Sequence, residues 1–312
     1  MLLHPPGPAS GAAPFRRSDV GRLGLTGHRL DALLANGVVV QPLRGVYLSA
    51  AALDDPVARA RAVGLVLPPG AAVGRRAAAW LHGVDPRAPA ELTAPLPLEC
   101  VVPAGSVVPR RRGLRPYEAT LPPGDVTEVH GVPVTSAERT ALDLARYLLP
   151  HMGLAVLDAM AGARQVEPAA LLDRLEEWRG ERFVARARRL VEHCEPTSES
   201  YGESWLRLRL LDAGFPRAVP QVWVVDGDGR RLYRLDLAWP ERRLAIEYDG
   251  LEFHEHPAAR AADQRRRDDL ARRFGWTVVG VGRGEVLGRS LALENGVGHL
   301  LGMAPQIRQR LW

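Results

Sequence analysis

Apolar residues along this chain change rhythm several times. Between residues 15 and 50 the spacing is first helical and then alternating. Leu30, Leu33 and Leu34 recur as one face of a helix over Gly27–Ala35, which Asn36-Gly37 closes as a left-handed cap. A shorter helix over Ser18–Leu23 precedes it, across a turn at Gly24–Thr26. Val38–Gln41 and Val46–Leu48 read as two short strands around Pro42–Gly45. Two helices joined by a turn and followed by a hairpin outline a winged helix-turn-helix. Residues 1–14 are rich in Pro, Gly and Ala and are expected to form a disordered tail.

Residues 51–197 predict an α+β, largely helical middle region. A helix over Pro56–Leu67 is followed by a Pro-Pro-Gly turn and a second helix carrying AAAWLHG (Ala77–Gly83). Short strands with Pro and Gly turns fill residues 98–135. Helices follow at Ser136–Leu149, Gly153–Ala163, Pro168–Trp178 and Glu181–His193. The polar stretch CEPTSES (Cys194–Ser200) then marks a domain boundary. The expected division is a tail over 1–14, a winged helix over 15–50, the middle domain over 51–197 and a third domain over 198–312.

From Tyr201 the rhythm becomes α/β. A helix over Tyr201–Ala213 leads to a strand at Val219–Val225, a hairpin turn at Asp226-Gly227-Asp228-Gly229 and a strand at Arg231–Ala238. A third strand, Arg243–Asp249, is followed by a charged helix over Ala258–Phe274. A fourth strand, Trp276–Val281, precedes a helix starting near Arg283.

This last region carries the candidate chemistry. Side chains alternate along a strand, so Glu247 and Asp249 share one face while Leu244, Ile246 and Tyr248 take the other. Pairing of the second and third strands brings Asp236 beside Glu247. Glu203 sits three and seven residues before Leu206 and Leu210 and points toward the sheet. Glu199 lies one turn earlier if the helix begins there. His254 follows the third strand, where it can reach a phosphate or a water. Acids on an apolar sheet are costly to bury without compensation. Two compensations are open: a divalent cation, Mg²⁺ or Mn²⁺, held by Asp236, Glu247 and Glu203, or ion pairs with Arg234, Arg243 or Arg267. The charged helix divides in the same way. Arg266 and Arg267 can contact phosphates, or the helix face is solvated and closed by pairs Asp263–Arg267, Asp268–Arg272 and Asp269–Arg273.

Composition narrows the chemistry. All 41 basic residues are arginine, and the chain has no lysine. A Schiff-base, P-loop or lysine general-base mechanism is therefore excluded. Only two Ile and two Asn occur among many Ala, Gly and Pro, the signature of a GC-rich bacterial genome. The net charge is +5, with both ends basic: residues 1–99 hold 10 Arg against 7 acids, and residues 201–312 hold 18 against 15. Such a balance suits DNA without proving it. Cys100 and Cys194 lack metal spacing, which fits a reduced, cytoplasmic protein. The N-terminal residues do not read as a signal peptide, and no apolar run is long enough for a membrane span.

Two families share these motifs. The set Glu203, Asp236, Glu247-Tyr248-Asp249-Gly250, His254 and RRRDDLARRFGWTVVGV resembles the very-short-patch-repair-endonuclease-like branch of the PD-(D/E)xK nuclease superfamily. That resemblance covers about residues 198–290. It implies a restriction-endonuclease-like α/β domain, a mixed sheet flanked by helices, with Mg²⁺ on Asp236. It also implies a catalytic set of Glu203, Asp236, Glu247, Asp249 and His254 for phosphodiester hydrolysis, in phage defence or DNA repair. Asp249 stands where the superfamily has a lysine. The stretch SDVGRLGLTGHRLDALLANGVVVQPLRGVYL, with Arg44-Gly45-Val46-Tyr47, resembles the winged helix of AbiEi-type antitoxins of type IV toxin–antitoxin systems. AAAWLHG and TSAERTALDLAR resemble the helical region that accompanies it. This second resemblance implies DNA as partner, contacted by Arg22, Thr26, His28, Arg29 and Arg44. It also implies a cognate toxin or defence partner, no membrane, and a regulatory role in which the nuclease-like fold is inactive.

Overall fold

The computed structural model describes residues 13–88, 91–92, 96–105, 108, 114–250, 257–310 and 312, with only the backbone described at 257–260. The expected tail lies outside these residues up to position 12, and so does His254. The described residues form a mixed α/β protein of three sheets and eleven α-helices. The chain divides into two compact units, Met1–Leu144 and Ala145–Trp312.

The first unit begins with β1 (Phe15–Arg16), a 3-10 turn at Arg17–Asp19, α1 (Gly27–Ala35), β2 (Val39–Leu43) and β3 (Val46–Ser49). The helix expected at Ser18–Leu23 is reduced to that single turn, and Leu23 is exposed rather than part of an apolar face. Helix α1 matches the predicted span. Its start is set by Thr26, whose hydroxyl accepts from Arg29 N at 3.2 Å, and Gly37 follows its end at φ 66°. The strands form an antiparallel sheet in the order β1-β3-β2. Leu30 and Leu33 of α1 pack against Phe15, Val39 and Tyr47 of this sheet. Each fully buried leucine contributes about 1.5–3 kcal/mol, so this small layer has a core of its own.

The rest of the unit comprises α2 (Pro56–Gly64), β4 (Ala72–Val73), α3 (Arg75–Leu81), β5 (Leu98–Pro103), β6 (Leu114–Ala119), β7 (Val126–Val129), β8 (Val132–Thr135) and the start of α4 (Ala137–Tyr147). Asp55 caps α2 and Pro56 opens it. The helix stops three residues short of the predicted Leu67, because Pro68-Pro69 disfavours helical backbone just before it. A mixed five-stranded sheet runs β6-β5-β4-β8-β7. Trp80 and the three alanines of AAAWLHG are buried against it, and His82 Nε2 lies 2.8 Å from Thr135 O. TSAERT serves the same core. Arg139 donates to Asp125 at 2.5 Å and to Asp143 at 3.0 Å, and the hydroxyls of Thr135 and Thr140 are 2.7 Å apart. Charges this deeply buried persist only when paired.

The second unit begins with helices α5 (Pro150–Gly162), α6 (Pro168–Glu177) and α7 (Val184–Glu192). It continues with α8 (Tyr201–Asp212), β9 (Val219–Val225), β10 (Arg231–Trp239), β11 (Leu244–Asp249), α9 (Pro257–Phe274), β12 (Thr277–Gly282), α10 (Arg283–Leu287) and α11 (Ala292–Leu301). The last helix was not anticipated. The sheet runs β12-β11-β10-β9, antiparallel except for the β11–β12 pair, which α9 connects in parallel. Helix α8 is buried almost all round. Its two deepest arginines are neutralised in place, Arg207 by Asp158 at 2.5 Å and Arg209 by Glu294 at 2.7 Å. Cys100 and Cys194 are buried free thiols. No helix among the described residues is long and apolar enough to cross a membrane.

Candidate functional site

The predicted acids gather in the second unit, around the point where β10 meets β11. The pair Leu237↔Ile246 sets the register, so Asp236 precedes it on one strand and Glu247 follows it on the other. Asp236 Oδ2 accepts the Tyr248 backbone N–H at 3.0 Å, in place of a further ladder bond. Glu203 enters from the first turn of α8. That turn is a Ser-x-x-Glu sequence, in which Ser200 accepts from Glu203 N at 3.1 Å. Helix α8 therefore begins at Tyr201, and Glu199 lies before it rather than one turn inside it.

The electrostatics centre on Asp236. Burial, then the nearby Glu203 and Glu247 carboxylates, push its pKa up to about 7, although the Tyr248 N–H and Arg266 favour the charged form. Asp249 is also raised, first by burial, against the pull of Arg267.

Each remaining acid has a partner. Glu203 Oε2 accepts from Gln221 Nε2 at 2.8 Å and from Glu199 N at 3.1 Å. Glu247 is held by both arms of Arg266, at 2.7 and 2.6 Å, and the same guanidinium donates to Arg234 O at 3.0 Å. Arg267 lies 3.3 Å from Asp249 and 2.8 Å from Asp263. The pairs Asp268–Arg272 and Asp269–Arg273 complete the solvated face of α9. Arg266 and Arg267, candidates for phosphate contact, are thus engaged with acids.

This arrangement bears directly on a metal. Both Glu247 oxygens are taken by a guanidinium, and one Glu203 oxygen by an amide. Among the described residues no group of three or more His, Cys, Asp or Glu side chains is placed to hold an ion. As placed, the donors do not fit a Mg²⁺ set, and Arg266 supplies the positive charge instead. Gln221 and the role of Arg266 escaped sequence reasoning. Ser200 had a legible signal in its spacing to Glu203, whereas Gln221 had none. It sits in a strand at φ 51°, a left-handed conformation that pattern reading does not anticipate.

The second candidate surface is α1 with the β2–β3 hairpin of the first unit. Arg22, Thr26, His28, Arg29 and Arg44 are all exposed. Arg22 lies 3.2 Å from Asp19, and Thr26 is occupied in capping. His28, Arg29 and Arg44 make no ion pair among the described residues.

Residues 71–193 match the family model of the AbiEi antitoxin C-terminal domain. The matched segment lies after the β2–β3 hairpin and α2 and includes AAAWLHG and TSAERT. Over 257 residues the chain is 31% identical to the uncharacterized protein Rv2248 of Mycobacterium tuberculosis (strain ATCC 25618 / H37Rv), covering 82% of this chain and 89% of that one. The uncharacterized protein MT2308 of strain CDC 1551 / Oshkosh matches to the same extent. The chain belongs to the family of these mycobacterial proteins.

Proposed function

We propose that this protein is a DNA-binding regulator of the antitoxin type. In this reading the segment 15–50 acts as a winged helix, and the following region serves a cognate toxin or defence partner. The observation that carries it is the antitoxin-domain match over residues 71–193, which follows a helix and hairpin where exposed His28, Arg29 and Arg44 make no ion pair among the described residues. Arg29 at the start of α1 and Arg44 at the hairpin tip are the phosphate or base contacts, with Arg22, Thr26 and His28 beside them. The reading places the protein in the cytoplasm, where its DNA is. Footprinting on duplex DNA upstream of its own gene tests this. Protection is expected with a chelator present, and Arg44→Ala should remove it. An unprotected upstream region, or protection unchanged in that variant, contradicts the proposal.

A second reading keeps the 198–312 region as a restriction-endonuclease-like domain that hydrolyses phosphodiester bonds with Mg²⁺ or Mn²⁺. The acids of that reading are Glu203, Asp236, Glu247 and Asp249. The crowding of Asp236 by Glu203 and Glu247 favours it, since acids so pressed together are characteristic of functional sites. It requires Arg266 to leave Glu247. Plasmid nicking that needs Mg²⁺ and disappears in Asp236→Ala supports it. Equal nicking by that variant assigns the cleavage elsewhere.

A further inference from the structure

The edge strand of the second unit carries a feature that neither reading uses. Trp223 of β9 is 42% exposed, although tryptophan is ordinarily among the more buried residues. It is flanked by two cations: the Arg231 guanidinium lies 5.2 Å and that of Arg234 5.6 Å from the ring centroid. Arg234 is the register partner of Trp223 across β9 and β10, so the two share a face of the sheet. Beside the ring opens a cleft of about 580 Å³, walled by the segment 196–199, by Gln221 and by Gly162 of α5.

We propose that this cleft binds an unpaired nucleobase of a single-stranded nucleic acid, stacked on Trp223, with its phosphates on the arginine side. Several observations converge on that ligand. The ring is flat, exposed and set at the mouth of a cleft of ligand size. The guanidiniums beside it repel cationic partners and attract a polyanion, and stacking plus a basic track is how single strands are held. Arg231 makes no ion pair among the described residues, while Arg234 pairs with Glu199 and so cancels the acid at the cleft mouth. The hairpin acid Asp226 is engaged within its own turn, accepting from Asp228 N at 3.0 Å and Arg230 N at 2.9 Å. Finally, Gln221 donates its amide nitrogen to Glu203, and its Oε1 is left buried without a donor. A buried acceptor without a partner is costly, and the amino group of a base entering the cleft supplies one.

A second copy of this chain is the rival occupant, because Val219 and Val225 of the same edge strand are also exposed. Self-pairing would bring like charges together around Trp223, which disfavours it.

The test uses the full chain and fluorescein-labelled 12-mers of dC and rC in about 0.1 M salt, read by anisotropy. Trp223→Ala should weaken binding roughly tenfold or more, and Trp223→Phe should retain most of it. Arg231→Ala should lower the slope of log affinity against log salt by about 0.7. Comparing the two oligomers tells DNA from RNA as the source of the base. Duplex footprinting and single-strand anisotropy are read separately on wild type, so a failure of the winged-helix reading is distinguishable from a failure here. Equal affinity of wild type and Trp223→Ala for both oligomers overturns the proposal, as does no binding by wild type. So does a fall from dimer to monomer in Trp223→Ala with oligonucleotide affinity unchanged.

Discussion

Replacing Asp236 by Asn isolates the electrostatic core of the carboxylate site. Asparagine keeps the shape, and its Oδ1 can still accept the Tyr248 N–H, but it cannot ionise. The pKa of Asp236 is pushed up to about 7 in the folded chain, against about 3.9 for an unfolded aspartate. An acid with a raised pKa holds its proton more tightly folded than unfolded. Below about pH 4 both states are protonated and the group costs nothing. As pH rises, the unfolded chain ionises first, and the cost reaches its full value once pH passes about 7. Three pKa units at 1.36 kcal/mol each set a ceiling of about 4 kcal/mol, and water reaching the site reduces it. Asp236→Asn should therefore stabilise the second unit by about 2–4 kcal/mol near pH 8 and by much less near pH 5. Urea unfolding at the two pH values, followed by tryptophan fluorescence, measures the difference. Six of the seven tryptophans lie in the second unit, so the signal reports mainly there. An equal effect at both pH values, or a loss of stability near pH 8, would show that Asp236 is ionised and compensated, and the reasoning would fail.

Three further outcomes follow from the same packing. Arg266→Met leaves the Glu247 carboxylate without its guanidinium and should cost about 1–3 kcal/mol, below the fully buried case because Arg266 is 27% exposed. The same variant should gain a thermal shift with Mn²⁺ that wild type lacks, and melting curves with and without Mn²⁺ check both points. Glu294→Ala strands Arg209, whose side chain is 1% exposed, and should cost about 3–5 kcal/mol in urea unfolding. Gly202→Ala would drive a Cβ into the Tyr248 ring, so it should lose about 1–3 kcal/mol, whereas Gly227→Ala in the hairpin turn, with open space around it, should change stability far less.

The strand and helix order of residues 201–287 was legible from the chain because each element there has one dominant rhythm. Val219–Val225 was read to the residue, and β10 and β11 to within one. Helix α1 was equally plain, with a capping threonine, a leucine face and a closing glycine. Legibility failed where local signals compete with packing. The segment Ser18–Leu23 has a helical rhythm but Gly21 lies within it and Gly24 follows it, and only one 3-10 turn, Arg17–Asp19, forms there. The i,i+4 pairs of α9 could be written from spacing alone, and all three are present.

The sequence by itself determined which acids lie near one another, since strand alternation and a short hairpin leave little choice of register. It also supplied only arginine as a cation, so any charge answering those acids within the chain had to be a guanidinium or histidine. What tertiary structure alone decided is which guanidinium goes where. Arg266 is brought to Glu247 by the packing of α9 on the sheet, through Leu270 against Leu235 and Ala245. No pattern along the chain encodes that contact, because it depends on the rotation of one helix over a strand 19 residues away. The same holds for Gln221, which reaches Glu203 only because its backbone takes a left-handed turn within β9. Local spacing sets which face a residue occupies. Contact across faces is set by the packing of whole elements.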